Sequence, residues 1–203
     1  MEAIHKKAQP ACHTLGGRVF TIGHSNVCLE DFVSLLREFD IQTIVDIRKF
    51  PGSRKFPHFN REVLCEQLDT QDIKYLWLES LGGRRSSSGS QTSLNKGLRS
   101  PGFRNYADYM QTDEFHTAVG QLLSVAATSR TAVLCAEKLY WKCHRRLLSD
   151  YLLAHGIEVM HIMGPGKILP HELTPSAVII TGQYVVYPPA ISPSDCLFLT
   201  PDQ

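Results

Sequence analysis

The stretch RTAVLCAEKLYWKCHRRLLSDYLLAHGIEVMHIM, Arg130 to Met163, decides the fold. Thr131 to Cys135 is the most hydrophobic strand candidate in the chain. CHRRLLSDYLLAHG has helical spacing and a Gly156 stop, and IEVMHIM reads as a further strand. Neither strand alternates with polar residues, so both are expected to be buried on two faces, as in a parallel sheet covered by helices.

The same grammar extends outward. RVFTIGHS reads as a strand ending at Gly23, followed by a helix through Leu29, Phe32, Val33 and Leu36. TIVDIRKF is a second strand, stopped by Pro51 and Gly52, and Asn60 is placed to cap a helix over NREVLCEQLDTQD. IKYLWLESLGG resumes extended structure. RRSSSGSQTSLNKGLRSPG is a long basic Ser/Gly-rich loop that cannot pack much apolar surface. One or two helices with a Thr112 cap follow, and beyond Met163 the chain reads as a short helix in HELTPSAVI and a peripheral strand in QYVVYPP. The expectation is an α/β fold with a mostly parallel sheet of about five strands flanked by helices, formed as a single domain over residues 18–190 between tails at 1–17 and 191–203.

Composition sets the outer limits. Of 203 residues, 43% are hydrophobic and 20% charged, which suits a globular chain. No run approaches the roughly twenty apolar residues a membrane span needs, and no secretory-type apolar segment stands at the start, so a cytoplasmic location without a membrane partner is expected. A net charge of +1 neither demands nor excludes a polyanionic partner. Local clusters do point to one: Arg48, Lys49, Arg54 and Lys55, then Arg84, Arg85, Lys96, Arg99 and Arg104, are free of interleaved acids.

In open parallel sheets, ligands bind beyond the carboxyl ends of the strands. Those ends deliver His24 and Ser25; Asp46 and Arg48; Glu79, Gly82, Gly83 and Arg84; Cys135 and Glu137; and His161. Asp46 and Arg48 share a strand face, either as an ion pair or with Asp46 orienting Arg48 for an anion. Gly82 and Gly83 serve as a sharp exit from the sheet or as a ligand-facing backbone nest.

Assigning about 100° per helical residue, His144 points with Leu147, Leu148, Tyr151 and Leu152 toward the sheet. Arg145 stands in the first helical turn, where an anion or Glu137 would satisfy it. Cys135 and Cys143 lie eight positions apart, unlike the close pairs of many zinc and thioredoxin-like sites. They read as framework residues, with metal binding by Cys135, Cys143, His144 and His161, a catalytic disulfide, or a cysteine nucleophile as the competing roles. No metal or other cofactor is expected.

These landmarks, taken together, resemble the family known as domain of unknown function 488. The resemblance runs through Thr21-Ile22-Gly23-His24-Ser25, Asp46-Ile47-Arg48, Pro51, Ser53-Arg54, Phe59-Asn60 and Leu81-Gly82-Gly83. It continues through Cys135-Ala136-Glu137, Cys143-His144-Arg145, Val159 to Ile162 and Pro170-His171. It spans about residues 18 to 180, and it implies an α/β domain with this shared polar set but no particular reaction.

The function expected from the residues is hydrolysis of a nucleotide or nucleic acid, with base removal as one subtype. His24, Asp46, Glu79, Glu137 and His144 are the candidate catalytic groups. Ser25, Arg48, Arg54, Gly82, Gly83, Arg84 and Arg145 are the candidate substrate-binding groups, and DNA, RNA or a nucleotide is the expected partner. A noncatalytic nucleic-acid-binding module and a cysteine- or metal-dependent enzyme are the alternatives.

Overall fold

The computed structural model describes residues 17–86, 93–180 and 184–190. Strands β1 (Arg18–Gly23), β2 (Thr43–Asp46), β3 (Lys74–Trp77), β4 (Thr131–Cys135), β5 (Glu158–Gly164) and β6 (Lys167–Pro170) form one sheet in the order β3-β2-β4-β1-β5-β6. All neighbours are parallel except β5 and β6, which form an antiparallel edge pair. The sixth strand adds one to the five expected, because Gly164 and Gly166, both at positive φ, turn the chain straight back on itself. Strands β7 (Val178–Ile180) and β8 (Tyr184–Val186) make a separate antiparallel pair.

Helices α1 (Leu29–Glu38) and α2 (Arg61–Asp69) cover one face, where Phe32, Leu36, Leu64 and Leu68 pack on Phe20, Ile22, Ile44 and Leu134. Helices α3 (Pro101–Tyr109), α4 (Asp113–Ala126) and α5 (Arg145–Ala154) cover the other, where Tyr106, Phe115, Leu122 and Leu148 pack on Val45, Val133 and Val159. Successive strand residues therefore enter opposite cores, which removes polar alternation from the central strands. Residues of β2 and β4 are buried throughout.

Local signals set several boundaries. Thr112 Oγ1 accepts from the Phe115 amide and caps α4. Cys28 caps α1 by accepting the Asp31 amide at 3.4 Å. Asn60 precedes α2 as expected but does not cap it through its side chain; its Oδ1 accepts from the Ser53 amide at 2.6 Å and ties down the loop after β2. The helix expected in HELTPSAVI is replaced by a turn and β7: Pro175 precedes the run Val178-Ile179-Ile180, whose β-branched side chains favour a strand.

Residues 87–92 of the basic Ser/Gly-rich loop, residues 181–183, and both expected tails, apart from residue 17, lie outside the described residues. No helix among the described residues is long and apolar enough to cross a membrane.

The connections position the site. From β1 the chain leaves over α1 on one face to reach β2; from the adjacent β4 it leaves over α5 on the other face to reach β5. Neighbouring strands whose connections depart to opposite faces open a crevice at their carboxyl ends.

Candidate functional site

Two polar clusters occupy this edge, and they differ in how completely they satisfy themselves. The first hangs from β2. Asp46, fully buried, accepts the Arg48 amide at 2.9 Å and the Arg48 Nε at 2.9 and 3.0 Å on its two oxygens, and its Oδ2 also takes the Tyr75 hydroxyl at 2.7 Å. Burial and the neighbouring Asp46 carboxylate push the Tyr75 phenol far up, which keeps it a donor. Arg48 Nη1 donates to the Phe59 carbonyl at 2.8 Å and to His24 Nε2 at 3.3 Å.

His24 must then carry its proton on Nδ1, which donates to the Ser25 carbonyl at 3.0 Å. Its ring stacks on Phe59 with centroids 4.0 Å apart. Burial, reinforced by the Arg48 charge, lowers its pKa to about 4, so His24 is neutral at pH 7. Asp46 orients Arg48, and His24 holds the turn; neither presents a group for proton transfer. Ser25, at φ 49°, points its hydroxyl to Asn26.

The second cluster bridges β4 and α5. Cys135 ends β4; a short helical turn, Tyr140–Lys142, returns the chain so that Cys143 and His144 stand at the head of α5. One ligand-capable atom from each of Cys135, Cys143 and His144 lies within 4.8 Å of the others. All three line a crevice of about 580 Å³ together with Arg48, Lys49, Phe50, Arg84, Phe103, Glu137 and Lys142. The Cys135 S–H, then His144 and Arg145, hold the Cys143 thiol well below the ordinary range despite burial. Sharing its proton with Cys143, and burial, raise Cys135 correspondingly.

Glycines let these parts meet. A Cβ on Gly83 would overlap Nδ1 and Cγ of the His144 ring, so the glycine is the bed on which the imidazole lies. Tyr106 meets the same ring edge-on, with centroids 5.0 Å apart. Gly82 similarly lets the chain pass 3.1 Å from the Lys49 backbone, measured from where a Cβ would stand.

Arg145 is 1% exposed and lies beneath the site. Its Nη2 donates to the carbonyls of Glu137 and Lys138, so of the two partners open to it from the sequence, an anion or the Glu137 carboxylate, the second is replaced by main-chain oxygen. A Cβ on Gly23 would strike the Glu137 carbonyl and come 2.8 Å from Arg145 Nη2. Glu137 itself is exposed at the rim, with Oε1 accepting the Leu139 amide at 3.1 Å. Glu79 is ion-paired to Lys49, and Arg84 extends over the exposed Phe50 ring at 5.9 Å. Arg54 is exposed but does not line the crevice.

The structure thus brings Arg48, Gly83, Arg84, Glu137 and His144 to one cavity, with Arg145 directly beneath it. His24, Ser25 and Lys138 line an adjoining hollow that shares Arg48, Phe50, Arg84 and Glu137. Linear spacing favours a framework role for Cys135 and Cys143 and gives no reason to single out Lys142, yet all three line this crevice. The sequence does carry a signal for the cysteines: a strand end followed by a helix start returns to one place whatever the length of the intervening loop.

His161, expected at the same edge, is instead part of an interior chain. Thr21 Oγ1 is 2.6 Å from its Nδ1, His171 Nδ1 is 3.0 Å from its Nε2, and His171 Nε2 reaches Asp150 Oδ1 at 3.0 Å. The Tyr187 hydroxyl donates to Asp150 Oδ2 at 2.7 Å, which ties the segment after β8 to α5. Burial lowers the His161 pKa to about 2.

Fold and site define a doubly wound α/β domain with a cysteine–histidine floor and a cationic rim at its switch-point edge. The chain belongs to the family described as domain of unknown function DUF488, which matches residues 28–152, more than half of its length. That span includes β2, β4, the cysteines and the start of α5. No curated protein and no solved structure matches it.

Proposed function

We propose that the protein is a hydrolase acting on a nucleotide or a short nucleic-acid segment held in the crevice. The observation that carries this reading is the composition of one cavity: about 580 Å³, lined by Lys49, Arg84 and Lys142, with Glu137 at its rim. That volume falls in the range of small-molecule sites, and with Lys49 taken up by Glu79, the cations Arg84 and Lys142 suit phosphate better than a neutral ligand. Phe50, 66% exposed, and Phe103 offer stacking surfaces for a base.

Among the candidate carboxylates, Glu137 suits acid/base work best, because Asp46 is sealed against Arg48 and Tyr75 and Glu79 is held by Lys49. Glu137 would orient water, or in a base-removing enzyme stabilise positive charge developing on the sugar.

The test is saturable binding of nucleotides and of short DNA and RNA at low and high salt, followed by a product-resolved assay that separates free base from cleaved phosphate esters. Arg84→Ala is expected to weaken binding and reduce its salt dependence. Glu137→Gln is expected to keep binding and lower turnover at least about 100-fold. Absence of saturable binding across all three ligand classes rejects the reading.

A second reading, a cysteine nucleophile attacking the same anionic ligand, is favoured by the depressed Cys143 thiol. It predicts a covalent adduct on Cys143, visible by intact mass after quenching during turnover.

A further inference from the structure

We infer that Cys135, Cys143 and His144 form a zinc site whose fourth coordination position opens into the crevice. Their ligand atoms lie within 4.8 Å of one another, and Cys143 Sγ is 3.5 Å from His144 Nδ1. Tetrahedral zinc with Zn–S near 2.3 Å and Zn–N near 2.0–2.1 Å places sulfur and nitrogen about 3.6 Å apart. The Cys143–His144 spacing already matches that geometry, and the remaining ligand pairs lie within 4.8 Å.

The ring is also fixed in orientation. Gly83 lies against one side of it and Tyr106 abuts it edge-on. Immobilised ligands at the right separation are what a metal site needs from its scaffold.

Ligand type selects the metal. Two sulfurs and one imidazole, with no carboxylate in the set, disfavour magnesium and calcium and suit zinc. Three protein ligands and one open position is the arrangement of catalytic rather than structural zinc. All three ligands line the crevice that also holds Lys49, Arg84, Lys142 and Glu137, so the open position faces the proposed ligand.

Charge supports the same assignment. Arg145 is buried directly beneath, and no ion pair to a carboxylate is present for it among the described residues. Two thiolates neutralise Zn²⁺; a hydroxide in the fourth position leaves one negative charge, which the Arg145 guanidinium balances. On binding, Cys135 and Cys143 each release their thiol proton as the two Zn–S bonds form. When a water in the fourth position then loses a proton, Glu137 is the nearby carboxylate to receive it, and the hydroxide is the nucleophile. This last use rests on the hydrolase reading; the site itself does not.

The experiment uses the full chain, stripped with chelator under reducing conditions and titrated with Co²⁺ and then Zn²⁺. The expected result is one equivalent of Co²⁺, with visible bands of tetrahedral geometry and a near-ultraviolet thiolate-to-metal band, all erased by one equivalent of Zn²⁺. Cys143→Ser and Cys135→Ser should each weaken binding beyond the 10–100-fold typical of losing an outer-shell partner. Arg54→Ala, exposed and outside the crevice, should leave metal binding unchanged.

Zn²⁺ should also slow alkylation of Cys135 and Cys143 by iodoacetamide in the unaltered protein, a readout that does not depend on the variants folding. Absence of saturable metal binding overturns the site. So does a Co²⁺ complex without the thiolate band, or alkylation at the same rate with and without Zn²⁺. Undiminished nucleotide turnover by the stripped protein would overturn the zinc-bound hydroxide as nucleophile while leaving the hydrolase reading intact. Metal binding without any nucleotide binding would overturn the hydrolase reading and leave the zinc site standing.

Discussion

The β2 cluster and the β4–α5 cluster stand at the same sheet edge and are built from similarly reactive side chains, yet they end in opposite states. Around Asp46 every strong donor and acceptor meets another: Arg48, Tyr75, His24 and the Phe59 carbonyl close a loop. Around Cys143 the bonding capacity is unfilled: two thiols and the His144 imidazole face one another, and His144 Nε2 and the adjacent Arg145 Nε have no partner among the described residues. A buried polar network that satisfies itself fixes geometry, whereas one left short of partners is where an added atom gains most. The chemistry is therefore expected in the second cluster, and the first serves to place Arg48 and the loops beside it.

The largest effect should come where the two clusters touch. Gly23 lies between them, and a Cβ there meets the Glu137 main-chain oxygen and the Arg145 guanidinium, of which the first cannot swing aside. Gly23→Ala should cost more than about 4 kcal/mol or prevent folding, read from urea denaturation and soluble yield. A variant with near-normal stability would show that the β1–β4 edge is looser than the fold requires.

Next comes the direct contrast. Asp46→Asn leaves the Arg48 guanidinium buried against a neutral amide and should cost about 3–4 kcal/mol. Cys143→Ser, nearly isosteric and in the unfilled cluster, should cost about 1 kcal/mol while abolishing metal binding or adduct formation. Equal losses of stability would erase the distinction between the clusters.

The sequence reveals the strands better than it reveals this distinction. Doubly buried strands leave continuous apolar runs such as Thr131 to Cys135, and the strand–helix order follows from them. Residue chemistry also places Asp46, Arg48, Glu137 and His144 at the correct edge. What it does not carry is the state of each group. Asp46 reads as a possible base until Tyr75, from the neighbouring strand, is seen on its second oxygen.

Cys135 and Cys143 read first as framework residues, with a joint metal or redox role only as an alternative, because linear spacing counts the loop between them, while space counts only its two ends. The Thr21–His161–His171–Asp150–Tyr187 chain draws on β1, β5, α5 and the segments after β6 and β8, and no local pattern encodes such an encounter.

Acid should unlock the closed cluster. His24 is 3% exposed, and its pKa falls from 6.5 to about 4 on folding. Between those values the unfolded chain binds a proton that the folded chain refuses, so stability falls as pH drops from about 6.5 and levels off for this residue below about 4. The shift corresponds to roughly 3 kcal/mol. His161, lowered to about 2, adds a loss in the same direction that continues to lower pH. Urea midpoints followed from about pH 7 to pH 4 should decline, and His24→Gln should flatten part of that decline.

A smaller loss is expected in the interior chain. Tyr187→Phe removes the hydroxyl that Asp150 Oδ2 accepts at 2.7 Å, leaving that carboxylate its bonds from the Thr174 amide and His171 on the other oxygen. The cost should be about 1–2 kcal/mol, visible in the midpoint but not in metal binding.

The smallest effect separates charge at the crevice from charge merely near it in sequence. Arg54 and Arg84 belong to similar basic, glycine-containing segments, and composition gives no reason to rank them. In space they part: Arg84 lines the crevice and leans over Phe50, while Arg54 is exposed outside it. Arg54→Ala should change stability by less than about 0.5 kcal/mol. It should also leave the affinity and salt dependence of nucleotide binding close to what they were, because Arg54 lines neither the crevice nor the adjoining hollow and an exposed charge without direct contact is screened by salt. Lys55 supplies the internal control, since it borders the hollow beside His24 while neighbouring Arg54 does not. If Arg54→Ala weakens binding as much as Arg84→Ala does, the ligand extends past the crevice along the loop after β2, and a nucleic-acid segment rather than a single nucleotide fills the site.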